Sequence, residues 1–102
     1  MLISKPFAKD DLLSIKLVTG EEVITRLVDD RSDAYVINRP VTLVPTAQGT
    51  AMVPYLMTAD VDSDITLDKS KVIVAALSKK ELSASYIQVT TGITTINSNI
   101  VR

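Results

Sequence analysis

Leu13, Ile15 and Leu17 alternate with Ser14, Lys16 and Val18. A period of two is the mark of a half-buried strand, because successive side chains leave a strand on opposite faces. Thr19-Gly20-Glu21-Glu22 breaks the alternation, and Gly20 is the residue there that takes positive φ without a Cβ penalty, as a tight hairpin needs. The return strand is read at Glu22–Val28, with Val23, Thr25 and Leu27 on one face and Ile24, Arg26 and Val28 on the other. The stretch IKLVTGEEVI is therefore a hairpin.

Beyond a polar loop at 29–33 the pattern predicts a third strand, Tyr35–Val44, in which Pro40 cannot donate to a ladder and marks an edge or a bulge. Thr46-Ala47-Gln48-Gly49 is a second turn signal, followed by a fourth strand, Thr50–Ala59, apolar on both faces. An acidic loop at 60–64, a short alternation at Ile65–Leu67 and the turn Asp68-Lys69-Ser70-Lys71 lead to Val72–Leu77, again apolar on both faces. Ser78 and Glu81 then have capping-box spacing, and Leu82, Tyr86, Val89 and Ile93 recur at helical spacing. This predicts a helix over about 79–91, stopped near Gly92, with a flexible tail at 94–102. Before the first strand, one helical turn is expected around Ala8–Leu12.

Five short strands separated by frequent turns predict one all-β domain over residues 1–102. It is a small, strongly bent five-stranded antiparallel sheet or partly open barrel with its core at 13–77 and a C-terminal helix. Two strands apolar on both faces cannot both be covered within 102 residues. Exposed apolar edges are hazards unless paired, and the economical partner is another copy of the chain.

Composition narrows the chemistry. Hydrophobic residues make up 46% and aromatics 4%, so the core is aliphatic. There is no Cys and no His, which removes thiolate sites and the commonest general base and transition-metal ligand. Only three glycines are present, far apart, so there is no phosphate-cradling loop. Asp60, Asp62 and Asp64 match the first ligand positions of a calcium loop. Ile65, however, stands where its turn wants Gly, and Lys71 where it needs a bidentate Glu. The expectation is a non-enzyme with no cofactor and no metal site.

The net charge of −1 excludes a polybasic nucleic-acid binder, yet residues 67–102 carry five Lys/Arg against two Asp/Glu. MLISKPFAKDD lacks the apolar run of a signal peptide and no stretch approaches the roughly 18 apolar residues of a membrane span, so the chain is expected in the cytoplasm, without a membrane partner.

Ile15, Leu17, Gly20, Val23 and Leu27 stand at the spacings of the opening strands of the Sm-like (LSm) family, including its bacterial Hfq branch, with Thr25 in place of a glycine usual there. The run LVTGEEVITRLVDDRSDAYVINRPVTLVP resembles Sm-like proteins of tailed phages, cyanophage-type ones in particular, and the resemblance covers residues 13–77. It implies an Sm-like sheet whose fourth strand, here Thr50–Ala59, pairs with the fifth strand of the next subunit, here Val72–Leu77. The result would be a homo-oligomeric ring of about five to seven subunits.

RNA binding in the cytoplasm of a bacterium or phage-infected host is also implied. Lys69 and Lys71 would repeat around the ring as a phosphate-holding rim, and Tyr35 would stack on a base of single-stranded RNA. Members that bind uridine-rich RNA place Asp and Asn in the loop entering the third strand and Arg-Gly between the fourth and fifth. Here Asp30 fits the first position, Ala34 replaces the Asn, and Asp68-Lys69-Ser70-Lys71 replaces Arg-Gly. The family helix usually precedes the first strand; here it follows the last. The alternative is a phage structural or protein-interaction ring without RNA binding, favoured by the charge of −1 and the missing Arg-Gly pair.

Overall fold

The computed structural model describes residues 7–60 and 62–100, the last ten of these as backbone. Strands β1 (Leu12–Leu17) and β2 (Glu22–Asp30) form the expected hairpin, paired from Leu12↔Arg26 to Lys16↔Glu22. The Gly20 amide donates to Leu17 O at 2.8 Å, and Leu17 N–H donates to Glu21 O at 2.9 Å. This three-residue connection needs its last residue at positive φ, and Gly20 has φ +99°. A Cβ there would meet nothing within 4 Å, so the constraint is purely conformational. Gly20→Ala is expected to cost about 1–2 kcal/mol and to lower the melting temperature by roughly 5–10 °C, read by circular dichroism.

Strand β3 (Ala34–Thr46) is thirteen residues long and pairs with β2 on one side. On its other side lie two segments in succession, β4 (Gly49–Pro54) against its second half and β5 (Asp64–Asp68) against its first. A 3-10 turn, Lys69–Lys71, leads to β6 (Val72–Leu77), which pairs antiparallel with β1. The strand order is β4-β3-β2-β1-β6 with β5 beside β3, so six segments make five rows of an open antiparallel sheet. No helix among the described residues is long and apolar enough to cross a membrane.

Three register shifts bend this sheet, since an extra residue on one strand kinks it and tightens its twist. Between the pairs Ile24↔Val41 and Arg26↔Asn38 the extra residue lies on β3, at Arg39–Pro40, where Arg39 has φ +53°. Between Leu27↔Ile37 and Asp29↔Val36 it lies on β2, and between Lys16↔Val74 and Leu17↔Val72 it is Ile73 of β6. One face of the sheet holds Leu13, Ile15, Leu17, Val23 and Leu27, all buried. The opposite face carries Ile24 and Val41 and is covered by helix α1 (Lys80–Ile100) through Tyr86 and Leu82.

The Tyr86 hydroxyl joins helix to bulge. It donates within reach of Arg39 O (2.7 Å) and Asn38 O (3.0 Å), and it accepts from Arg26 N–H at 3.3 Å. The ladder is displaced at this point and Pro40 has no amide to offer, so a side chain from another element supplies the missing partner. Burial raises the Tyr86 pKa above its ordinary 10.0, outweighing the opposing pull of Arg26 and Arg39. Thr25, fully buried, donates its hydroxyl to Asn38 O at 2.9 Å. Among the described residues no buried side-chain polar atom lacks a partner.

Several expectations are corrected. The fourth strand does not run to Ala59: it ends at Pro54, Tyr55 N–H turns to Pro40 O at 2.9 Å, and Met57 is 79% exposed. Of the two readings of Pro40, the bulge holds and the edge does not, since its strand is paired on both sides. Ser78 caps no helix; its amide donates to Leu12 O and its hydroxyl lies 2.7 Å from that of Ser14, so α1 begins at Lys80. The helical backbone also passes through Gly92 to Ile100 instead of ending near residue 91, because a mid-helix glycine costs about 1 kcal/mol and does not forbid the helix. Of the expected tail at 94–102, only residues 101 and 102 remain beyond it, outside the described residues. The first turn is one closed loop, Asp11 N–H to Ala8 O at 3.0 Å, and Leu12 already belongs to β1.

Candidate nucleic-acid interface

The turn between β2 and β3 and the turn between β5 and β6 meet because β5 lies against the start of β3, pairing Ala34 with Asp68 and Tyr35 with Leu67. Lys69 N–H donates to Asp33 O at 2.9 Å and fastens the two turns. The carboxylate of Asp68 accepts from Ser70 N–H at 2.9 Å and caps the 3-10 turn, and this hydrogen bond lowers the Asp68 pKa. At the other end Val18 N–H donates to Lys71 O at 2.9 Å, which ties the turn to the β1–β2 hairpin.

Two of the three expected contact residues come together. The Lys69 ammonium lies 4.6 Å from the centre of the Tyr35 ring and donates to Asp30 Oδ1 at 2.6 Å. Asp30 is only 10% exposed and Lys69 31%, so this pair is better shielded from water than an ordinary surface ion pair. Lys71 stands apart: it is exposed and makes no ion pair among the described residues.

Phe7 completes the cluster, its ring 6.4 Å from that of Tyr35 and tilted by 58°. With Tyr35 and Lys69 it forms one wall of an open groove of about 390 Å³, whose other wall is the β6 segment Val72–Ala75. The sequence carries a single Phe, in a terminus without periodicity, and that isolation was the one signal pointing to it. Nothing in the pattern marks Ile73 as a groove residue, since its position follows from the β1–β6 bulge.

No family model and no curated protein matches the chain. The chemistry open to the groove follows from its own geometry. It offers an aromatic ring, an apolar strand wall and one ammonium already partnered by a carboxylate. A base stacking on the Tyr35 face that carries Lys69 must displace that ammonium; a phosphate is met first by the exposed Lys71.

A second cavity, of about 60 Å³, lies under α1 between Pro40, Pro54, Leu56, Ile65 and Val89. Its one charged wall residue besides Asp60 is Arg39, whose guanidinium is held by Asp62 at 2.7 Å and Thr90 O at 3.4 Å, which leaves the space to apolar packing. The acidic loop is likewise committed: Asp60 accepts from Asp62 N–H, Asp62 pairs with Arg39, and Asp64 accepts from the Asn38 side chain.

Proposed function

We propose that this protein is a non-catalytic, Sm-like subunit that assembles with copies of itself into a homo-oligomeric ring by strand-edge pairing. In this reading the ring holds single-stranded RNA at the joined turns 31–33 and 69–71, with Tyr35, Lys69 and Lys71 as contacts. The observation that carries it is the pair of free edges at opposite ends of one bent sheet. Among the described residues the outer edge of β6 has no partner strand, and it exposes Ile73 (62%), Val74 (55%) and Leu77 (58%). At the other end β4 and β5 are equally unpaired on their outer sides. An apolar strand edge left open to water invites pairing, and five bent rows with a short turn before the last are what the Sm-like resemblance implies.

A second reading keeps the ring and gives it a protein partner instead of RNA. It is favoured by the Lys69–Asp30 pair, which withholds one of the two rim lysines from phosphate.

Native mass spectrometry with a short uridine-rich RNA at low salt separates the readings. A ring whose mass shifts by one RNA supports the first, and a ring without the shift supports the second; a monomer removes both. Asp30→Asn gives a finer test. Taking the negative charge from beside Lys69 is expected to tighten RNA binding and to steepen the slope of log affinity against log salt by about one. A filter-binding titration at several salt concentrations reads this slope, and an unchanged slope would place Lys69 outside the RNA path.

A further inference from the structure

The two free edges carry opposite charge. From Gly49 to Asp68, through β4, the loop and β5, the sequence holds four acidic residues, Asp60, Asp62, Asp64 and Asp68, and no basic one. From Lys69 to Lys80, through the 3-10 turn and β6 to the start of α1, it holds four lysines, Lys69, Lys71, Lys79 and Lys80, and no acidic residue. One charge in each set is used internally, Asp62 by Arg39 and Lys69 by Asp30. Asp60, Asp64 and Asp68, and Lys71, Lys79 and Lys80, make no ion pair among the described residues.

These charges bracket the strands. Asp64 and Asp68 are the ends of β5, while Lys71 and Lys79 flank β6. The two strands are nearly equal in length, five and six residues. Laid antiparallel, an incoming β6 brings its Lys71 end to Asp68 and its Lys79 end to Asp64. Pairing β6 with β6, or β5 with β5, sets like charges together, which disfavours a two-fold dimer.

We propose that this charge polarity selects the head-to-tail pairing of the ring reading over the two-fold alternative, so that assembly is controlled by salt. The inference rests on the ring reading and adds what sets its direction. A heterologous contact of this kind closes into a ring or runs on as a filament, and it does not end at a dimer.

Sedimentation velocity of the full chain tests it. Between about 0.1 and 1 M salt the screening length falls from about 10 Å to about 3 Å. The protein concentration at half-assembly is expected to rise roughly tenfold over that range, the exposed pairs Lys71–Asp68 and Lys79–Asp64 being weakened at each junction. The variants Asp60→Lys/Asp64→Lys and Lys71→Glu/Lys79→Glu are each expected to be monomeric alone, and their equimolar mixture to assemble again with an even number of subunits. If both variants assemble alone as the unaltered chain does, and that chain ignores salt, the charge polarity is overturned while the ring stands. A two-fold dimer overturns it as well. An unaltered chain that is monomeric at every salt removes the ring and this inference together. Should either variant fail to fold by circular dichroism, the salt titration of the unaltered chain decides.

Discussion

Val74→Lys is expected to turn the assembled protein into folded monomers. Val74 is 55% exposed in the single chain and lies on β6, whose outer edge has no partner strand among the described residues, so the monomer gives up little apolar burial when it is replaced. Lys16 stands directly opposite on β1, and the like-charge contact costs the monomer about 0.5 kcal/mol. In a strand-paired ring the same side chain is covered by the neighbouring subunit, and a desolvated ammonium there costs several kcal/mol at every junction. The effect is thus small on folding and large on assembly. Sedimentation velocity reads the second and thermal unfolding the first; an oligomer that survives the substitution would show that the interface lies elsewhere.

Tyr86→Phe is expected to destabilise the fold by about 2 kcal/mol, a shift of roughly 1 M in the urea midpoint. Phe fills the same apolar space against Ile24 and Val41, so the loss is confined to the hydroxyl. Without it the bulge carbonyl of Arg39 and the Arg26 amide lose a partner under the helix, whereas Asn38 O keeps the Thr25 hydroxyl. Tyr86→Ala adds a cavity and should cost about 3–5 kcal/mol.

The pH dependence gives an independent check on the same contact. The pKa of Tyr86 is raised by burial, so the folded state favours the neutral phenol. The stability this provides is complete below the ordinary value of 10.0 and is lost as pH rises through the higher folded value. Tyr55 is raised too, by burial and by the Glu21 carboxylate that accepts from its hydroxyl, so Tyr86→Phe should flatten the alkaline loss of stability without abolishing it.

What the sequence made legible was local. The alternation from Leu13 to Leu17, the glycine in the first turn and the apolar run of β6 each act through neighbours a few residues apart. They predict the β1–β2 hairpin and the last strand almost to the residue. Pro40 announced a break in the ladder, but whether that break lay at an edge or inside a sheet depended on β4, which arrives from the far side. The fourth strand looked continuous because Tyr55, Leu56 and Met57 are apolar; its end is set by Pro54 and by the Pro40 carbonyl waiting for the Tyr55 amide, a contact fifteen residues apart. Glycine as a helix stop failed because propensity is a cost, and nothing after Gly92 enforces the end.

The candidate site was legible in part. The Sm-like resemblance pointed to Tyr35 and Lys69, which do meet, and grouped Lys71 with them, which stands apart. The pairing of Lys69 with Asp30 spans 39 residues and exists only because β5 lies along β3. No period in the sequence encodes that adjacency.

The Tyr86 contact also makes a reporter of one backbone position. Arg26 sits in the third of five rows, at the centre of the sheet, where amide protons ordinarily exchange with solvent only when the sheet itself opens. Its N–H donates to a hydroxyl carried by α1, so each departure of the helix strips a donor in the middle of the sheet of that partner. The deuterium uptake of this single amide therefore records how often α1 leaves its seat, and comparison with the buried neighbours Thr25 and Leu27 separates that motion from unfolding of the strands.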